Sequence, residues 1–203
     1  MIWVLQDSNS MMKYCLSFFL IIISSISVAQ VTTTIQWKKS QTYSSGDTIY
    51  YDPARKLDWS DFKGRPDKNS VAAAITESGF GYRMSMQHLN GRTNIIITVF
   101  CYFNNRKSWV KPEMDNSYAL THEQHHFDIT YINACVFIKK LKEATLTEAN
   151  YASLVDFIHD ECYYALEKMQ NEYDGQTSNG RIKKQQLDWN KKIDKLLTEL
   201  ITD

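Results

Sequence analysis

Glycine and proline are scarce in this chain of 203 residues, at 7 and 3. Their scarcity excludes collagen-like and proline-rich low-complexity architectures. Neither sign of charge is in excess: Lys plus Arg and Asp plus Glu number 23 each. A balanced chain lacks the basic footprint that nucleic acid or an anionic membrane surface selects. Cysteine is scarce as well, with four in all, and Cys15 falls in the N-terminal leader. The remaining Cys101, Cys135 and Cys162 are odd in number and widely spaced. They make neither a disulfide scaffold nor a thiolate zinc site, and read as small buried apolar residues.

What is present is an ordinary globular composition, 43% hydrophobic and 13% aromatic, enough for one well-packed core. Near the N-terminus, Lys13 precedes an apolar run from Leu16 to Ile23, and Ser27-Val28-Ala29 follows it. Basic start, short apolar core and small-x-small end are the parts a signal peptidase reads. The run is too short to span a bilayer comfortably. Residues 1–29 are therefore expected to be a signal peptide and 30–203 a single exported domain, periplasmic or secreted, with no membrane span after cleavage. Met11 and Met12, just before Lys13, are alternative starts to Met1.

Along the mature chain, β-branched residues over 31–37 predict a strand, and Thr48-Ile49-Tyr50 a short one after the turn at 44–47. Leu57 to Phe62 alternates and predicts a strand or extended loop. Residues 71–88 and 93–103 predict a long hairpin around Asn90-Gly91, a dipeptide suited to positive φ at both turn positions. The period then becomes helical. One helix is expected from about Asn116 to Leu141, a second from Thr147 to about Tyr173 with a stop at Asp174-Gly175, and a third from Ile182 to Leu200. Strands first and helices after predict an α+β fold, an antiparallel sheet followed by three helices.

The residues that point to chemistry are His122-Glu123-Gln124-His125-His126. His122 and His126 are four apart, so on a helix their imidazoles share one face and can hold two corners of a zinc site. Glu123 stands beside that face, where it can take a proton from a metal-activated water. His125 is set aside as structural or solvated, because Glu123 serves as base only with the 122/126 pair. A metzincin pattern would need its third His at 132, where Ile132 stands. A carboxylate or His from the second helix is the other source. With helix ends at Leu141 and Thr147, His126 lies level with about residue 162. His159 lies within one turn of that level, with Asp160 and Glu161 close by and Glu167 about a turn beyond, and of these His159 is the expected third ligand.

Three segments together resemble a bacterial family, the domain of unknown function 922, described as predicted secreted zinc-dependent proteases. The first is Leu57-Asp58-Trp59-Ser60-Asp61-Phe62-Lys63-Gly64-Arg65-Pro66, similar to L-x-W-x-D-F-x-G-x-P. The second is His122 to Asp128, similar to H-E-Q-x-H-F-D. The third is Tyr173-Asp174-Gly175-Gln176-Thr177 with Gln186 and Trp189. The resemblance implies zinc, peptide hydrolysis, His122 and His126 as ligands and Glu123 as base. It also raises Asp174 as a rival to His159. Gln176 stands where the family often has Glu, and Asn179 where some members have His. The Trp59 and Trp189 segments read as packing signatures. The expected function is thus an exported zinc-dependent peptidase acting on peptide or protein. The alternatives are a non-catalytic binding protein with the same fold and a zinc hydrolase of a cell-wall amide.

Overall fold

The computed structural model describes residues 30–38 and 46–202. The expected signal segment, 1–29, and the Ser44-Ser45 half of the first turn lie outside the described residues. The elements are β1 (Gln30–Trp37), β2 (Thr48–Tyr50), β3 (Ala74–Ile75), β4 (Ser78–Leu89), β5 (Arg92–Asn104), β6 (Trp109–Val110), α1 (Ser117–Glu143), α2 (Tyr151–Thr177) and α3 (Lys183–Thr202). The fold is α+β, with the helices after the strands.

β5 is the centre of the main sheet because one of its faces is apolar from Ile95 onward. Ile95, Ile97, Val99, Cys101 and Phe103 are fully buried. β4 pairs antiparallel along its whole length, from Leu89 opposite Arg92 to Ser78 opposite Phe103. The turn between them has φ of 52° at Asn90 and 73° at Gly91, as the Asn-Gly pair predicts. On the other edge β1 runs parallel to residues 92–99, and β2 antiparallel to 102–104. The sheet is therefore mixed, where an antiparallel one was expected. Alternation in a sequence tells which face is buried, and says nothing of a neighbour's direction. The register of β1 is held by Thr32 and Thr34, whose hydroxyls reach Asn94 Oδ1 at 3.2 and 3.1 Å.

α1 lies against the buried face of this sheet. Phe127 meets Phe103 and Phe137 meets Phe80, each at 5.8 Å between ring centres. Asn116 caps the helix, its Oδ1 accepting from Ala119 N at 3.0 Å. The segment expected as a strand, 57–62, instead forms a 3₁₀ turn at Trp59–Asp61. Asp58 and Asp61 cap it reciprocally, through Ser60 N to Asp58 and Asp58 N to Asp61, both at 2.9 Å. Two capping carboxylates three residues apart outcompete an alternating pattern this short. Gly64 follows, where a Cβ would stand 2.7 Å from the carbonyl oxygens of both Arg106 and Ser108, so only glycine fits.

That segment also fixes α1. Leu57 N donates to Gln124 Oε1 at 2.7 Å, and Trp59 Nε1 to the Asn116 carbonyl at 3.3 Å. Beneath it is a buried polar cluster around Asp128, which is 0% exposed. Asp128 accepts from Tyr51 OH at 2.7 Å and from Gln124 Nε2 at 2.9 Å, and faces His125 Nδ1 at 3.2 Å. His125 is therefore structural, as the motif geometry predicts.

α2 returns antiparallel to α1. Thr147 and Asn150 bond each other's backbone N–H at 2.7 and 3.2 Å, and the helix begins at Tyr151. It does not stop at Gly175. It runs to Thr177 and ends where Ser178, Asn179 and Gly180 take φ of 54°, 51° and 77°. Thr177 Oγ1, bonded back to Tyr173 O at 2.7 Å, accepts from Gly180 N at 3.1 Å and holds this left-handed turn. α3 then packs through the buried Trp189 and Ile193. No helix among the described residues is long and apolar enough to cross a membrane.

Candidate metal centre

His122 and His126 share the α1 face turned toward the last turn of α2. Their Nε2 atoms are 3.2 Å apart. Asp174 Oδ1 lies 3.2 Å from the first and 3.1 Å from the second. The three atoms form a nearly equilateral triangle. Among the described residues this is the group of His, Cys, Asp and Glu side chains that could hold a metal ion.

His159 is not part of it. Its ring packs among Phe80, Tyr82, Phe137 and Tyr163 at 5.2 to 5.8 Å. The difference comes from helix ends. α1 closes at Glu143 and α2 opens at Tyr151, both later than their periodicity suggests. Each delay slides α2 the same way, so His126 faces Gln170, about two turns beyond the expected level. Asp174, one further turn along, then reaches both imidazoles with α2 unbroken.

Each histidine is oriented from behind. His126 Nδ1 is 2.5 Å from Gln170 Oε1, and His122 Nδ1 is 2.9 Å from Gln186 Oε1. The amide orientations follow from their other bonds. Gln170 Nε2 donates to the His126 carbonyl at 2.9 Å, and Gln186 Nε2 to Asn190 Oδ1 at 2.7 Å and Tyr173 OH at 2.6 Å. An amide oxygen only accepts, so each Nδ1 carries a proton and each Nε2 faces the triangle. Tyr173, fully buried, stacks on His122 with ring centres 4.7 Å apart. Burial pushes its phenol pKa well up, so it stays neutral. Gly180 closes the other side: a Cβ there would come within 3.3 Å of His122 Nδ1.

The electrostatics ask for positive charge. Asp174 Oδ1 is buried and has no hydrogen bond of good geometry, although both imidazoles are close. Burial opposes charge on Asp174, but the two histidines outweigh it and hold the carboxyl well below the usual range. Burial likewise opposes charge on His126, but the adjacent Asp174 carboxylate and the Glu123 charge outweigh it and push its pKa up to about 8. Two imidazole lone pairs and a carboxylate oxygen converging at this distance repel one another unless a cation or proton lies among them. Ligand atoms about 2.05 Å from a divalent ion stand roughly 2.9 Å apart at right angles and roughly 3.3 Å apart in a tetrahedron. The observed edges of 3.1 to 3.2 Å fall between these, so the donors fit a small divalent ion.

Glu123 is 5% exposed, and its Oε2 has no hydrogen-bond partner. It borders a cleft of about 750 Å³ that also takes in His122, His126 and Asp174. Gln176 points away: its Oε1 accepts from Trp189 Nε1 at 2.9 Å, tying α2 to α3. Its amide stands outside the triangle. Gln170 escaped sequence reasoning, and Tyr173 and Gln186 entered it only as motif positions, without a role. Gln170 stands four residues before Asp174 on one helix face, and that spacing is the signal that could have found it. Truncating such outer partners of metal-binding histidines costs about 10- to 100-fold in affinity. Gln186→Ala is accordingly expected to weaken zinc binding by that factor in a competitive chelator titration, with folding retained.

Fold and site together define an α+β protein with a candidate two-histidine, one-carboxylate centre on paired helices. No family model, curated protein or solved structure matches the chain.

Proposed function

We propose that the protein is an exported zinc-dependent peptidase. The observation that carries the reading is the pairing of the His122, His126 and Asp174 triangle with a buried, unpartnered carboxylate, Glu123, on the same cleft. The resemblance of the 57–66, 122–128 and 173–189 segments to predicted secreted zinc proteases agrees with it. His122, His126 and Asp174 would hold the ion, and zinc would supply a Lewis acid and a water of lowered pKa. Glu123 takes a proton from the attacking water and returns it to the leaving nitrogen. Gln170 and Gln186 keep both imidazoles in the Nδ1–H form. Two histidines and a carboxylate also suit iron(II). The buried Glu123 beside them favours hydrolysis, since a proton acceptor is what a water nucleophile needs.

Zinc-loaded protein is expected to cleave a denatured protein substrate such as casein. Chelation should abolish the cleavage, and added zinc should restore it. Bound zinc with no hydrolysis of any peptide would reject the peptidase reading while leaving the metal centre.

A further inference from the structure

The cleft has a direction and a charge at each end. Thr76 Oγ1 donates to the Glu123 carbonyl at 3.1 Å, and Ser78 Oγ meets Thr130 Oγ1 at 2.7 Å. The 72–78 wall therefore runs alongside α1 in the same direction, with Thr76 level with the His122–His126 turn. Toward the α1 N-terminus the cleft is closed by the turn that carries Gly180, whose carbonyl accepts from Tyr118 OH at 2.5 Å. Arg181 and Lys183 stand at that end. Toward the other end α2 contributes Glu167, about two turns before Asp174, and the wall contributes Glu77. Outside the site itself these are the four charged residues lining the cleft. Both cations are at one end and both carboxylates at the other. Lys183 and Glu167 are exposed; Glu77 also faces Lys107 at 3.8 Å, and Arg181 Nε donates to the Ser178 carbonyl at 2.8 Å.

The wall offers a main-chain edge as well. Lys111 N donates to Ala73 O at 2.8 Å, and Ala74 and Ile75 stand opposite Val110 and Trp109. By the alternation of an antiparallel pair, 73 and 75 bond toward β6, and the N–H and C=O of Ala74 point to the opposite edge. An extended chain can add there as a strand, and antiparallel addition is the more stable per residue. Its N-terminal part then lies by Glu77 and Glu167, and its C-terminal part by Arg181 and Lys183.

We infer, resting on the peptidase reading of this site, that the cleft selects extended peptides with positive charge N-terminal to the cut bond and negative charge C-terminal to it, and that Glu167 and Lys183 set this preference. The acidic group on the C-terminal side is a side chain or the peptide's own carboxylate.

The test uses zinc-loaded Glu123→Gln protein and two labelled peptides of one composition. One carries lysines in its N-terminal half and glutamates in its C-terminal half; the other has the halves exchanged. Fluorescence anisotropy is expected to show the first binding more tightly, on the order of 5-fold at low salt, with the difference shrinking as salt rises. In the double variant Glu167→Lys, Lys183→Glu, which leaves one charge of each sign at each end, the difference should vanish. Equal binding or the opposite order in the parent, an undiminished preference in the double variant, or no binding of either peptide would each overturn the inference. Zinc measured on the same samples keeps the outcomes apart: loss of zinc condemns the centre, whereas zinc retained with no preference condemns only the charge polarity.

Discussion

Glu123→Gln is expected to lower kcat for peptide hydrolysis by about 10³-fold and leave the zinc content at the wild-type level. The substitution keeps the size of the side chain and removes its ability to accept a proton. Glu123 is buried and its Oε2 is unpartnered, so no bond within the protein is lost. Its carboxylate does not belong to the triangle, whose corners are His122, His126 and Asp174. Metal and catalysis therefore separate. The check is steady-state kinetics beside metal analysis of the same preparation. Activity that survives the change means another group is the base; zinc lost with it makes Glu123 part of the ion's hold.

Removing the buried carboxylate behind the motif acts on stability. Asp128→Ala is expected to destabilise the fold by about 3 to 5 kcal/mol. It leaves Tyr51 OH and Gln124 Nε2 buried without their acceptor, and Lys56, at 3.6 Å, without its counter-charge. Asp128 also carries a pH signature. Burial opposes its charge, but His125, Lys56, Tyr51 and Gln124 outweigh that and hold its pKa below the ordinary 3.8. A carboxyl depressed in the folded state binds fewer protons there than in the unfolded chain below that value. Its stabilisation is thus complete above about pH 4 and lost as pH falls through the folded pKa. Urea melts between neutral pH and pH 3 should show the wild type losing stability from this source, and Asp128→Ala losing less. Equal acid slopes in the two proteins would remove Asp128 from that role.

The residues that carried a period or a motif were legible in the sequence. The hairpin around Asn90-Gly91, the three helices, and the shared face of His122 and His126 all follow from local spacing. The direction of β1 was not, because alternation is the same for parallel and antiparallel neighbours. The third corner of the triangle was hidden by something equally local. Thr147 and Asn150 hold a turn before α2 starts, and a few residues of delay at each helix end move the facing level from the region of His159 to Gln170 and Asp174. The Tyr173-Asp174 pair was visible as a motif, but its place opposite His126 depends on α2 running on past Gly175. Glycine stops a helix when it follows the last turn; here Gly175 lies inside that turn, and the left-handed cap begins three residues later with Ser178, Asn179 and Gly180.

His122, His126 and Asp174 are expected to form one metal centre, and metal analysis of purified protein is the check. The wild type is expected to hold about one zinc per chain. Asp174→Ala should lose it, as His122→Ala should, while His159→Ala should keep it, because that ring packs among aromatics away from the triangle. Wild type without metal, or zinc that survives Asp174→Ala and disappears with His159→Ala, would mean that these three residues are not the centre.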